Sequence, residues 1–115
     1  LRTTARLLRQ HYRCAVLLKG GHLADARHAV DIFYDRPTEL LLSAPYVRGV
    51  STHGTGCTYA AAITAGCARG LPLAEAVKRA KTFISQAVAR SRRIGRHWVL
   101  DCVPSASVRM AREVR

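Results

Sequence analysis

An α/β domain is what the sequence predicts, and three features predict it. Cys14-Ala15-Val16-Leu17-Leu18 is an unbroken apolar run of strand length that ends at Lys19-Gly20-Gly21. Runs of that kind mark strands buried on both faces of a mostly parallel sheet. Thr52-His53-Gly54-Thr55-Gly56-Cys57-Thr58 leads straight into the alanine-rich stretch 59–68, where a loop turns into a helix. Leu73, Ala76, Val77, Ala80, Phe83, Ile84, Ala87 and Val88 recur at spacings of three and four, which is the pattern of a helix with one buried stripe.

The remaining elements follow in order. Thr3 and Thr4 are placed to cap a helix running to about Tyr12, with Leu7, Leu8 and Tyr12 on one face and Arg2, Arg6, Arg9 and Arg13 around it. After the first strand, Ala29 to Tyr34 reads as a second strand, Arg36-Pro37-Thr38 as a turn, and Leu40 to Ala44 as a third strand stopped by Pro45. The short spacing makes these two a hairpin. Gly70 sits where the alanine-rich helix needs a C-terminal cap, Pro72 fits the first turn of the next helix, and Glu75 and Arg79 pair on its outside. From Arg90 onward periodicity is lost, so residues 91–115 are expected to be a basic, loosely ordered tail. The chain shows no internal repeat.

Composition narrows the function classes. The 115 residues carry a formal charge of +12 and are 49% hydrophobic, enough for one core and too apolar for a disordered chain. No apolar run approaches the roughly 18 residues that span a bilayer, and no leader pattern follows Leu1, whose presence in place of Met suggests a fragment. Four cysteines, Cys14, Cys57, Cys67 and Cys102, form no Cys-x-x-Cys pair, which argues against a zinc ribbon or a disulfide framework and for a reducing cytoplasm. Cys14, Cys67 and Cys102 are expected to be small buried hydrophobes. Residues 1–13 hold four Arg and no acid, and residues 90–115 hold seven Arg against Asp101 and Glu113. With no interleaved aromatic platform, these ends read as solvated basic surface and nucleic acid is not the expected partner.

The chemistry concentrates in two places. A helix start leaves its first N–H groups unpaired and carries a partial positive charge, so Gly54, Thr55, Gly56 and Cys57 form a candidate anion site. The motif lacks the Gly-Lys-Ser/Thr ending of a Walker A loop, and a tight turn with a cap reads equally well from these residues alone. Cys57 adds a thiol in the first helical turn, where the helix end favours a thiolate, which makes it a candidate base or nucleophile. His53 and Cys57 lie four apart but lack further ligands at suitable spacing, so no metal site is expected. Lys19 places an ammonium at the carboxyl edge of the sheet, where open α/β folds bind ligands, although strands also commonly end at a lysine. His22 and His28 read as loop residues.

Leu17-Leu18-Lys19-Gly20-Gly21-His22-Leu23, Ala29 to Tyr34, Ser43-Ala44-Pro45 and Thr52 to Thr58, in this order and spacing, resemble the carboxyl-terminal half of the hydroxymethylpyrimidine/phosphomethylpyrimidine kinases of thiamine biosynthesis. The likeness covers about residues 1–90. It implies a ribokinase-like α/β fold with a mostly parallel central sheet, acting on a pyrimidine alcohol and then its monophosphate with ATP and Mg²⁺. It further implies that the N–H groups of Gly54, Thr55, Gly56 and Cys57 hold the transferring phosphoryl group, that Cys57 deprotonates or positions the substrate hydroxyl, and that Lys19 neutralises ATP phosphates. Adenine would lie near the segment 76–88, and the whole protein would be a homo-oligomer. Ile94-Gly95-Arg96-His97-Trp98 departs from the family's glycine-rich ending, and the family's amino-terminal half, with the substrate contacts and the acids that help hold Mg²⁺, has no counterpart here. A pyridoxal kinase of the same family is the alternative substrate reading, and an inactive basic remnant that binds nucleic acid is the alternative from another class.

Overall fold

The structure, a computed structural model, describes residues 1–20, 27–50 and 53–103. His22, Thr52 and the last part of the tail lie outside the described residues.

Helix α1 spans Arg2–Tyr12 and starts two residues earlier than Thr3 as cap requires: Leu1 is the N-cap, and no side-chain cap bond forms among the described residues. The buried position is Ala5, whereas Leu7 is 61% and Tyr12 65% exposed. Ion pairs with the sheet account for this rotation. Arg2 and Arg6 reach Glu39 at 3.0 and 2.9 Å, and Arg9 reaches Asp35 at 3.3 Å. The Arg6 guanidinium also lies 5.9 Å from the Tyr34 ring centroid, a cation–π distance.

Strands β1 (Val16–Lys19), β2 (His28–Asp35) and β3 (Thr38–Pro45) form a sheet in the order β1-β2-β3. The expected β2–β3 hairpin is present, and His28 belongs to the strand rather than to a loop. A mostly parallel sheet does not appear among the described strands, which pair antiparallel throughout. The apolar run that suggested a parallel strand is explained by cover on both faces. Leu17 packs against Tyr59, Ala80 and Ile84 on one side, and alternation turns Val16 and Leu18 to the other side, where α1 packs on β1 and β2.

Helices α2 (Thr55–Ala68) and α3 (Leu73–Ala89) pack on each other, α3 also against β3. Between them Gly70, at φ +84°, donates to the Cys67 carbonyl at 2.9 Å while Leu71 N–H reaches the Gly66 carbonyl at 3.1 Å, the paired bonds of a Schellman ending. A Cβ on Gly66 would stand 3.0 Å from that of Ala76, so the small residues set the close approach of the two helices. The predicted stripe of α3 buries Ala76, Val77, Ala80, Ile84 and Ala87. Glu75 and Arg79 pair at 2.9 Å outside, and the guanidinium holds the Glu75 carboxyl below its ordinary range.

The segment after Arg90, expected to be loosely ordered, holds a small hairpin of β4 (Arg92–Ile94) and β5 (His97–Val99). Three-residue strands are too short for periodicity to reveal. Asp101 fastens the hairpin, its N–H donating to the Ala87 carbonyl at 3.3 Å and its carboxylate facing Arg92 at 3.1 Å. No helix among the described residues is long and apolar enough to cross a membrane.

Candidate functional site

Alternation along β1 sends Lys19 to the same face as Leu17, towards α2 and α3. There the helix start awaits it. Gly54 is the N-cap of α2 at φ +84°, a left-handed conformation that favours glycine, and Thr55, Gly56 and Cys57 are the first three helical residues. Thr58 N–H is the first to close a helical bond, onto the Gly54 carbonyl at 2.8 Å, so the donors before it point out of the helix end. No acidic residue stands in this first turn. The Lys19 Nζ lies 3.6 Å from the point a Cβ on Gly56 would occupy. Two motifs that the sequence separates by more than thirty positions therefore share one positively charged cradle.

Gly54, Gly56 and Cys57 are exposed, and Thr55 is half-buried. Cys57 stands open to an incoming group at the mouth of the helix. Cys14, Cys67 and Cys102 are also exposed, which corrects the expectation that they are buried. Cys14 lies in the link between α1 and β1, Cys67 near the end of α2, and Cys102 beyond β5, all positions outside the packed faces.

Sequence reasoning passed over three residues behind the cradle. Asp31 and Lys81 form an ion pair at 2.8 Å, their side chains only 4% and 10% exposed. The other Asp31 oxygen accepts from Gly20 N–H at 3.1 Å, and Lys81 also donates to the Ala29 carbonyl at 3.1 Å. A signal for them existed: Lys81 falls on the α3 stripe four residues after Val77, and Asp31 interrupts the apolar core of β2. A charge of each sign on buried faces demands a partner. The third residue is Tyr59, 2% exposed, whose hydroxyl has no hydrogen-bond partner among the described residues. Burial first, and the nearby Asp31 charge second, push its pKa above the ordinary value.

Lys19, Thr55, Tyr59, Asp31 and Lys81 line a cavity of about 330 Å³, completed by apolar Val47, Val50, Ile84 and Val88. Its size is that of a small-molecule site. Among the described residues no group of three His, Cys, Asp or Glu side chains is placed to hold a metal ion. Arg2, Arg6 and Arg9 face carboxylates of the sheet, which weakens the case for α1 as a nucleic-acid surface.

A family model described as phosphomethylpyrimidine kinase matches residues 1–100. The hydroxymethylpyrimidine/phosphomethylpyrimidine kinase of Rhizobium meliloti is 46% identical over 80 residues, 70% of this chain and 30% of that protein. The thiamine biosynthesis bifunctional protein ThiED of Geobacter sulfurreducens is 43% identical over 96 residues, 84% of this chain and 19% of that protein. The structure of a Staphylococcus aureus pyridoxal kinase in complex with AMP-PCP superposes with a TM-score of 0.81 at 30% identity, covering 88% of this chain and 37% of that one. The chain thus spans about a third or less of the length of these relatives.

Proposed function

The chain belongs to the phosphomethylpyrimidine kinase family, and from that premise we propose that it supplies the nucleotide and phosphate side of an ATP-dependent kinase acting on hydroxymethylpyrimidine and its monophosphate in thiamine diphosphate synthesis. In this reading it is the carboxyl-terminal part of a ribokinase-like fold. The observation that carries the proposal is the Lys19 ammonium standing over the open start of α2 at Gly56.

The chemistry follows from that arrangement. Negative charge that spreads over a transferring phosphoryl group meets the N–H groups of Gly54, Thr55, Gly56 and Cys57, which are already aligned and need no reorganisation. Lys19 offsets the charge of the ATP phosphates from the opposite side. Cys57, exposed beside these donors, takes the substrate hydroxyl proton or holds the oxygen for in-line attack. Val47, Val50, Ile84 and Val88 give the cavity an apolar wall suited to the adenine ring, and Ile84 and Val88 belong to the helix where it is expected.

The expected Mg²⁺ does not fit these residues. Asp31, the carboxylate opposite Lys19, is engaged by Lys81 and by Gly20 N–H, and the described residues offer no other ligand cluster. No step is assigned to the ion. The four exposed, unbridged cysteines suit a reducing, cytoplasmic setting. Pyridoxal is a second substrate reading, favoured by the pyridoxal kinases among the structural neighbours; the cradle handles only phosphate and serves both.

A chimera tests the proposal: residues 1–100 replace the matching stretch of the Rhizobium meliloti relative, and ATP-dependent phosphorylation of hydroxymethylpyrimidine is assayed. Retained transfer is expected. A folded chimera that binds ATP and transfers nothing overturns it.

A further inference from the structure

Lys19 and Asp31 are paired residues in the β1–β2 ladder, and both side chains face α2 and α3. Opposed antiparallel residues bring their Cβ atoms to about 5 Å, where a lysine and an aspartate ordinarily join. Here they do not. Among the described residues Lys19 makes no ion pair; the Asp31 charge is already matched by Lys81 at 2.8 Å, and its other oxygen accepts from Gly20 N–H at 3.1 Å. Lys81 comes from α3, half the chain away, and is itself buried, so its charge is held in place by Asp31 and the Ala29 carbonyl. The Lys19 ammonium is left to swing over Gly56.

The geometry points to Lys81 as a positioning residue that occupies Asp31 and thereby keeps Lys19 available to an anion. This rests on the reading of Lys19 as a phosphate-binding residue. With Lys81 gone, the buried Asp31 carboxylate keeps Gly20 N–H and has the neutral Tyr59 hydroxyl near it, but the cation opposite it in the ladder, able to match its charge, is Lys19. A buried carboxylate left unpaired is unfavourable enough to draw the lysine back across the ladder. The anion site then loses its cation although Lys19 is still present.

The test is titration of the 115-residue chain with inorganic tripolyphosphate, folding being monitored by circular dichroism. Lys19→Ala should weaken binding by about tenfold or more, the loss of one charge-assisted contact. Lys81→Met should weaken it comparably, and Lys81→Arg should not. The deciding variant is Asp31→Asn combined with Lys81→Met: a neutral amide at position 31 has no charge with which to hold Lys19, so affinity returns to within about threefold of the wild type. A purely structural role for the pair predicts the double variant to bind no better than Lys81→Met, and that result overturns the inference. If Lys81→Met does not fold, Asp31→Asn alone decides, with affinity retained on this reading and lost by about tenfold if it is wrong. Unchanged binding by Lys19→Ala, or no binding by the wild type, would instead overturn the phosphate-binding reading beneath it, and this inference with it.

Discussion

The Lys19 ammonium lies 3.6 Å from where a Cβ on Gly56 would stand, so the absent side chain of one residue leaves open the space between the other's charge and the start of α2. The distance is an ordinary van der Waals contact. A methyl group at 56 would collide with nothing in the empty protein, yet it would fill part of the gap between the ammonium and the start of α2. Stability and binding should therefore separate at this position. Gly56→Ala is expected to melt no lower than the wild type, since alanine in a helix is favoured over glycine by up to about 1 kcal/mol. Its affinity for tripolyphosphate should fall by about tenfold, a loss of roughly 1.4 kcal/mol. Calorimetric titration beside a thermal melt checks both, and undiminished binding would remove Gly56 from the cradle.

Cys57 should behave in the opposite sense to Lys19. On the proposed function its backbone N–H, in the first turn of α2, belongs to the anion site, whereas its exposed side chain takes or holds the substrate hydroxyl. In the chimera, Cys57→Ala is expected to keep ATP affinity within about twofold while transfer falls by about a hundredfold or more, the usual contribution of a positioned base. Turnover near the parent rate would take the thiol out of the reaction.

What the sequence disclosed of this site was its backbone chemistry. Glycine spacing before an alanine run is a local signal, and it placed the cradle at 54–57 and the helices to within a few residues. Lys19 was legible as the end of an apolar run. Asp31 and Lys81 were legible only as charges interrupting apolar patterns, because which residue pairs with which is settled across fifty positions, and Tyr59 carried no signal that sets it apart from an ordinary core aromatic. Strand direction was equally hidden: a continuous apolar run reports burial on both faces, and α1 with the α2–α3 pair provides that cover without a parallel neighbour. The rotation of α1 was missed because ion pairs to Glu39 and Asp35, not its leucines, set which side faces the sheet.

Tyr59 gives the protein an alkaline sensitivity of defined sign. Its hydroxyl is buried near Asp31, and its folded pKa is raised above the ordinary value of 10.0. In the unfolded chain the phenol releases its proton from about pH 10, while the folded protein retains it, so the contribution is intact below that pH and is lost as pH rises further. The wild type should therefore lose stability relative to Tyr59→Phe above about pH 10, by up to about 1.4 kcal/mol per pH unit. At pH 8 the phenylalanine variant should be equal or more stable, by about 1 kcal/mol at most, since it removes a hydroxyl without a partner. Urea midpoints of both proteins at pH 8, 10 and 11 decide the matter; parallel pH curves would place the hydroxyl in water.

Gly20 follows Lys19 at the end of β1, and its substitution should be felt in stability first. It is buried at the end of β1, and a Cβ there would run into the Val30 carbonyl oxygen, a backbone atom that cannot rotate aside as a side chain does. Its N–H also holds Asp31, so any shift of the strand end loosens the Asp31–Lys81 pair and carries Lys19 with it. Gly20→Ala is thus expected to lower the unfolding free energy by about 1–3 kcal/mol, the range of overpacked interiors. The urea midpoint should fall with its slope unchanged, because the surface exposed on unfolding stays the same. Tripolyphosphate affinity should fall in the same variant, since the strand end that is displaced is the one that carries the ammonium. A variant as stable as the wild type would show that β1 and β2 part at Gly20 without strain, and the coupling from Asp31 to Lys19 would then have to run through the lysine side chains alone.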